Sequence, residues 1–379
     1  MSDINSIAPT SSEVSLIRRR LLRWYDRYRR DLPWRSRTAD PYAQWVAEIM
    51  LQQTRVDTVI AYYERFLRRF PDVTVLARAN HDEVLKYWEG LGYYRRIDNL
   101  HRAACQLYEA NQEIPQTADA LAKLPGIGTY TSAAIASIAF GERVAAVDGN
   151  VSRVIARLMD VRHDVLSTAG KRRVQHLADL LISAERPGDF NQAWMDLGGM
   201  ICTPKSPVCG RCPLATVCVA RAAGLAHELP IRCANGRRPP TNVKLAVGVF
   251  LLGGKVLIRQ RPQGGLWSGL WEFPAAELKG QASATRAVRN LASRAGLRLS
   301  GRLRRVATIE RRLTHRAVTF LVYVGRLESF DARANGTTHR WVSAKRKTKL
   351  SMSSAHQQIW KAVHKLVKTC QGVRDTFGG

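Results

Sequence analysis

Between Lys123 and Val154 the chain reads KLPGIGTYTSAAIASIAFGERVAAVDGNVSRV, and this stretch limits the possible folds more than any other. Leu124-Pro125-Gly126-Ile127-Gly128 predicts a tight hairpin, followed by an apolar helix over about 131–140 and a turn that delivers Asp148. Gly126 and Gly128 carry no Cβ, so backbone N–H groups can converge there. The helix that begins at this point adds the positive end of its dipole. Together they form a seat for a phosphate that needs no basic side chain. Asp148 stands 20 residues beyond Gly128, at the start of another helical pattern. A backbone clamp on a phosphate with a carboxylate beside it suits work on a nucleotide's sugar. Asp-Gly-Asn is equally cap and turn chemistry, with Asp148 as the N-cap of a helix from Val151.

A polyanion partner is implied by charge. Lys and Arg outnumber Asp and Glu by 59 to 31, a formal net charge of +28. Arginines recur throughout, from Arg18-Arg19-Arg20 to Arg311-Arg312, so the excess is not a tail effect, and nucleic acid is the expected partner. No apolar run reaches membrane-spanning length, and the N-terminus lacks the apolar core of a signal peptide. At 379 residues the chain has room for two or three cores.

Periodicity divides it. Residues 1–13 read as a disordered lead-in. Residues 14–30 read as a basic amphipathic helix, broken at Asp31-Leu32-Pro33-Trp34-Arg35. Pro41 opens a second helix that breaks near Gln52–Val56 and resumes. Helical patterns continue to about residue 201, with a tight turn at Gly90-Leu91-Gly92-Tyr93-Tyr94, and nothing before residue 240 reads as a strand pair. Residues 219–241 have linker composition. Beyond them, strands are predicted at 243–252 and 255–260 across Gly253-Gly254, then at 303–311 and 317–326. Helices are predicted near 285–295 and from about 353. The expected architecture is therefore multidomain: a mainly α domain over 14–218, with a six-helix part at about 41–145 and a second part from 14–40 and 146–218. A smaller α+β domain over 242–369 and a tail at 370–379 follow.

Cys202, Cys209, Cys212 and Cys218 follow the spacing C-x6-C-x2-C-x5-C. Four thiolates on a proline-interrupted loop can converge on a tetrahedral zinc or on a 4Fe–4S cubane. Spacing alone leaves both open. Cys105, Cys233 and Cys370 lie outside the pattern.

The hairpin, Asp148 and the cysteine spacing together resemble the helix–hairpin–helix DNA glycosylases with an iron–sulfur loop. Glu48-Ile49-Met50-Leu51-Gln52-Gln53-Thr54, Gly90-Leu91-Gly92-Tyr93-Tyr94, Val147-Asp148-Gly149-Asn150 and Asn191-Gln192-Ala193 narrow the resemblance to the adenine DNA glycosylase (MutY) family. VLIRQRP-x2-GLW-x-GLWEFP resembles a Nudix-like domain. The resemblance implies one 4Fe–4S cluster per chain on the four cysteines. It further implies a monomer in the cytoplasm, associated with the nucleoid through DNA if the source is bacterial. The implied substrate is double-stranded DNA containing adenine opposite 8-oxoguanine or guanine. A thymine or uracil mismatch glycosylase, or a lesion-binding protein without activity, are the alternatives.

Breaking an N-glycosidic bond calls for a proton on the leaving base and a negative charge facing the cationic sugar. Glu48, crowded by Trp45, Val46, Ile49 and Leu51, suits the first role, since desolvation holds a proton on it. Asp148 suits the second, with Asn150 positioning it or the water. Related enzymes with lyase activity carry a Schiff-base lysine where this chain has Tyr130, which implies base removal without an efficient lyase step. Gln53 and Tyr93 are implied as fillers or wedges at the lesion pair, and Arg30, Trp34, Leu51 and Gln192 as lining of the adenine pocket. In the C-terminal domain Thr285, Ser293 and Arg294 stand where Nudix glutamates would hold magnesium, so recognition without hydrolysis is expected. The family's F-S-H loop reads here as Leu313-Thr314-His315.

Overall fold

The computed structural model describes residues 8–233, 240–262, 265, 267–313, 315–330, 338–344 and 350–371. Internal contacts divide the chain into two units, Met1–Ala79 with Asp98–Asn235, and Asn80–Ile97 with Gly236–Gly379. Mainly helical N-terminal and α+β C-terminal architectures are both present, in line with the sequence. Among the described residues no helix is long and apolar enough to cross a membrane.

The first unit contains no strand among its described residues. Its first elements are α1 (Ser11–Tyr28), a 3-10 turn (Pro33–Arg37), α2 (Pro41–Leu51), α3 (Val56–Arg69) and α4 (Val73–Arg78). The next helix, α5 (His81–Trp88), belongs to the other unit, and α6 (Arg95–Glu109) returns. After them come α7 (Ala118–Leu121), α8 (Thr129–Phe140), α9 (Gly149–Leu158), α10 (Thr168–Leu181), α11 (Pro187–Met200) and α12 (Val219–Ala222). α1 starts three residues ahead of the predicted 14 because Thr10 and Glu13 form a capping box, Glu13 N donating to Thr10 Oγ1 and Thr10 N to Glu13 Oε2. α2 opens on Pro41 with Asp40 capping Ala43 N, and stops where Gln53 enters the left-handed region at φ 56°.

One core joins Leu21, Trp24 and Tyr25 of α1 with Val154 and Ile155 of α9, Leu177 of α10, and Phe190, Trp194 and Leu197 of α11. Each large side chain buried there stabilises the fold by about 1.5–3 kcal/mol. Truncating Trp194 to Ala would cost about 3–5 kcal/mol of stability.

Among its described residues the second unit forms a seven-stranded mixed sheet. Its strands are β1 (Thr241–Leu252), β2 (Lys255–Gln260), β3 (Trp271–Glu272), β4 (Ala275–Glu277), β5 (Leu297–Arg312), β6 (Arg316–Phe330) and β7 (His339–Ser343). The main path runs β3-β2-β1-β6-β5, with β4 on β1 and β7 on β2. β1 and β6 pair in parallel from Thr241↔Arg316 to Leu251↔Arg326. Besides α5, its helices among the described residues are α13 (Ala284–Arg294) and α14 (Ser354–Gln371). Alternation sorts the strands: Val247, Val249, Val256 and Ile258 join Ala355, Ile359 and Val363 of α14, whereas Ala246, Phe250 and Leu257 join Val288 and Ala292 of α13. β5 and β6 exceed the predicted lengths, because bulges between Arg298 and Ala307 bend the ribbon without ending it.

Residues 80–97 join this unit through polar contacts. Asp82 Oδ1 accepts from Gln260 Nε2 at 3.3 Å and Trp271 Nε1 at 3.4 Å, and Glu89 Oε1 accepts from Met352 N at 3.2 Å.

Candidate active site

The hairpin before α8 has the geometry its glycines require. Gly126 adopts φ 80°, and a Cβ there would meet Asn99 Cβ at 2.6 Å, so no other residue fits. Gly128 is the N-cap of α8 and, having no side chain, caps none of the first-turn N–H groups. The chain then reverses at Gly141 (φ 72°) and runs to Asp148. Asn191 of α11 staples that run: its Oδ1 accepts from Ala146 N at 3.0 Å, and its Nδ2 donates to Val144 O and Ser137 Oγ.

Asp148 is the N-cap of α9, accepting on Oδ1 from Asn150 N (2.9 Å) and Val151 N (2.7 Å). On Oδ2 it accepts from Asn150 Nδ2 at 2.9 Å. The cap and the site are thus one arrangement, since the contacts that start the helix also aim the carboxylate. Asn150 Oδ1 in turn accepts from Arg153 Nη2 at 3.0 Å, and Arg153 Nε donates to Cys202 O at 2.8 Å.

Glu48, on α2, opens onto the same cavity of about 480 Å³ as Asp148. It is 4 % exposed and its Oε2 has no hydrogen-bond partner among the described residues. Burial pushes its carboxyl up to about 7; the Tyr130 hydroxyl opposes that shift and the Asp148 charge adds to it. Tyr130 is itself raised well above the usual phenol value, by burial first and then by Glu48 and Asp148. Its hydroxyl lies 3.6 Å from Met195 Sδ.

The expected site residues mostly meet here. Arg30, Trp34, Leu51, Gln53, Tyr130, Asn150 and Gln192 all line the cavity with Glu48 and Asp148. Tyr93 does not: it is 49 % exposed in the turn before α6, with Arg96 over its ring. Gln53 and Tyr93 share one unusual property, a left-handed backbone at φ 56° and 48°. Non-glycine residues hold that conformation at about 1–3 kcal/mol, a strain that clusters at functional positions. In the second unit Leu313 is half-buried against the sheet core and His315 is exposed at the β5–β6 turn. Thr314 lies outside the described residues.

Among the residues at this site that the sequence reading did not single out are Arg35, Met195 and Asp196. Arg35 and Met195 line the cavity, and Asp196 lies behind it, fully buried, bound to Arg30 and Arg35. The available signal was an acid inside the apolar run NQAWMDLGGM, four residues after Gln192.

The four clustered cysteines are partly buried and none is in a disulfide. Arg157 of α9 organises their loop, donating to Cys202 Sγ (3.3 Å), Thr203 O (2.7 Å) and Pro204 O (3.0 Å). Among the described residues no three donors are gathered tightly enough for a single metal ion. Four partly buried thiols with no disulfide among them fit a 4Fe–4S cubane, in which each thiolate takes its own iron corner.

Residues 46–178 match the HhH-GPD superfamily of base excision DNA repair proteins, residues 202–218 the iron–sulfur binding domain of endonuclease III, and residues 246–362 the NUDIX domain. The chain is 37 % identical to the adenine DNA glycosylase of Homo sapiens over 82 % of its own length and 67 % of that protein. With the Mus musculus adenine DNA glycosylase the identity is 35 % over 92 % of the chain and 78 % of that protein. A thermostable thymine-DNA glycosylase of known structure aligns with 55 % of the chain and 97 % of its own, at 28 % identity and a TM-score of 0.51.

Proposed function

Because the chain belongs to the adenine DNA glycosylase family, and is therefore an iron–sulfur base excision repair enzyme that hydrolyses the N-glycosidic bond of adenine in DNA, we propose that its substrate is adenine opposite 8-oxoguanine, and more weakly opposite guanine. The carrying observation is the pairing of Glu48 and Asp148 in one cavity, with Glu48 pushed up to about 7. A carboxyl poised near working pH has the pKa that a general acid needs. Glu48 gives its proton to a ring nitrogen of the extruded base, and the base leaves as a neutral purine. Asp148, fixed by its three N–H donors, faces the positive charge that develops on the sugar. Asn150 keeps that carboxylate aimed.

Tyr130 has no amine for a Schiff base, so the enzyme is monofunctional and leaves an abasic site. Arg30, Trp34, Leu51 and Gln192 receive the base, whose extrusion costs a few kcal/mol. Gln53 and Tyr93 fill or wedge the duplex at the lesion pair. The hairpin of Gly126 and Gly128 seats a backbone phosphate at the start of α8. Cys202, Cys209, Cys212 and Cys218 would hold the 4Fe–4S cluster, which when bound cross-links the loop carrying Lys205 and Arg211 for contact with the phosphate backbone. Leu313, Thr314 and His315 read 8-oxoguanine. The protein acts as a monomer in the compartment that holds the DNA, the cytoplasm and its nucleoid in a bacterium.

The test is single-turnover base release from a panel of A:8-oxoG, A:G, T:G and U:G duplexes. Fastest release from A:8-oxoG is expected. Faster release of thymine or uracil than of adenine would favour a mismatch glycosylase, and tight binding without release a lesion sensor.

A further inference from the structure

We propose that Asp196 is a positioning residue for base excision, locking Arg30 and Arg35 into one rigid cationic wall of the cavity that receives the base. Asp196 is 0 % exposed on α11, one turn beyond Gln192. Its Oδ1 accepts from Arg30 Nε at 2.6 Å, and its Oδ2 from Arg35 Nη1 at 2.7 Å and from Arg30 N at 3.2 Å. Arg35 Nη1 also donates to Arg30 O at 2.8 Å, which closes the unit on itself. Both arginines line the cavity with Glu48 and Asp148, and Asp196 stands behind them.

Charge and geometry explain why the acid is there. Two guanidiniums this close repel each other, and a carboxylate buried this deeply is tolerated only when paired. The trio leaves one net positive charge on the wall, with its donors fixed in direction. Some of those donors are unused: Arg35 Nε is buried without a partner, and among the described residues Arg30 donates through N and Nε alone. Arginine has no acceptor. A wall made only of donors suits the ring nitrogens of a purine, and suits them only while it stays rigid. Arg35 is further held over the Tyr25 ring at 5.4 Å.

The inference rests on reading this cavity as the base pocket, and the experiment separates the two. Wild-type protein and Asp196→Asn are compared in single-turnover adenine release from A:8-oxoG duplex across pH, with duplex affinity measured alongside. Asp196→Asn is expected to slow release on the order of 100-fold, the effect of a roughly 1 Å misplacement. Duplex affinity should change by less than about twofold. The variant raises the wall from one net positive charge to two. Glu48, which also faces Tyr130 and Asp148, then releases its proton more readily, and the alkaline midpoint of the profile moves to lower pH. Adding Arg35→Gln to Asp196→Asn restores one net positive charge, so the midpoint should return while release stays slow.

A wild-type enzyme that releases no adenine would sink the base-pocket reading itself. A competent wild type matched in rate by Asp196→Asn would overturn only this inference, as would slow release with an unmoved midpoint, which marks a merely structural role. If Asp196→Asn alone does not fold, the charge-balanced double variant decides. Slow release at the wild-type midpoint supports the proposal, and wild-type release overturns it.

Discussion

Two glutamates are buried among the described residues, one in each unit, and they have opposite surroundings. Glu48 is 4 % exposed with an unpartnered Oε2, in a cavity it shares with another acid. Glu272 is 1 % exposed in the sheet, taking Arg259 Nε at 2.9 Å and Arg261 Nη1 at 2.6 Å, with His356 Nε2 at 3.5 Å. Burial pushes His356 down to about 4 despite Glu272, so it is neutral at working pH and its Nδ1 accepts from Phe273 N. The same side chain at the same depth therefore does two things. Paired on every side, it is part of the scaffold. With one carboxyl oxygen unpartnered beside an acid, burial holds a proton on it.

The largest expected effect breaks the pair open by activity. Glu48→Gln and Asp148→Asn should each slow adenine release by about 10²–10⁴-fold in single-turnover assays, the range for loss of a general acid or a charge-stabilising group. Near-normal rates in either would remove that residue from the chemistry. Glu272→Gln should act on folding instead. Breaking a buried ion pair from one side costs about 3–5 kcal/mol, read as a lower denaturant midpoint, because Arg259 and Arg261 lose their partner.

The next effect is smaller and changes with pH. Glu48 moves from an ordinary 4.5 to about 7 in the folded protein, which corresponds to about 3 kcal/mol. The folded state holds the proton more tightly, so wild type loses stability as pH rises from 4.5 through about 7. Glutamine has no such loss. Glu48→Gln should therefore be more stable than wild type at pH 8 by up to about 3 kcal/mol, and equal to it below pH 4.5. Equal stability at both would mean that Glu48 is not strained by its site. A mutation that destroys activity while raising stability is the signature of a functional residue.

Much of this was legible in the chain. The hairpin, the α2 break, the cysteine loop and the switch to strands near residue 240 each rest on local signals, namely glycine, proline, spacing and period. The N-cap reading of Asp148 is seen directly, and the contacts that make the cap also fix the direction of its carboxylate. What stayed hidden depended on distant partners. Asp196 reaches Arg30 across 166 positions, and Asp82 reaches Gln260 across 178, with no period to announce either. The left-handed backbones of Gln53 and Tyr93 were hidden for another reason. They carry neither glycine nor asparagine, the residues that normally mark φ above zero.

The smallest expected effect asks whether the unit that keeps Glu272 as scaffold contributes recognition alone. Helix α13 carries Arg286, Arg289 and Arg294 and no acid, so it lacks the carboxylates that hold a magnesium ion. His315 is exposed at the β5–β6 turn, while neighbouring Leu313 packs inward, which leaves the histidine as the polar contact available on the described part of that turn. His315→Ala should lower the preference for A:8-oxoG over A:G by about fivefold, the worth of one net hydrogen bond. The A:G rate should be unchanged, because Glu48 and Asp148 are untouched. If both duplexes slowed equally, His315 would serve binding in general, and the separation of chemistry from recognition between the two units would not hold.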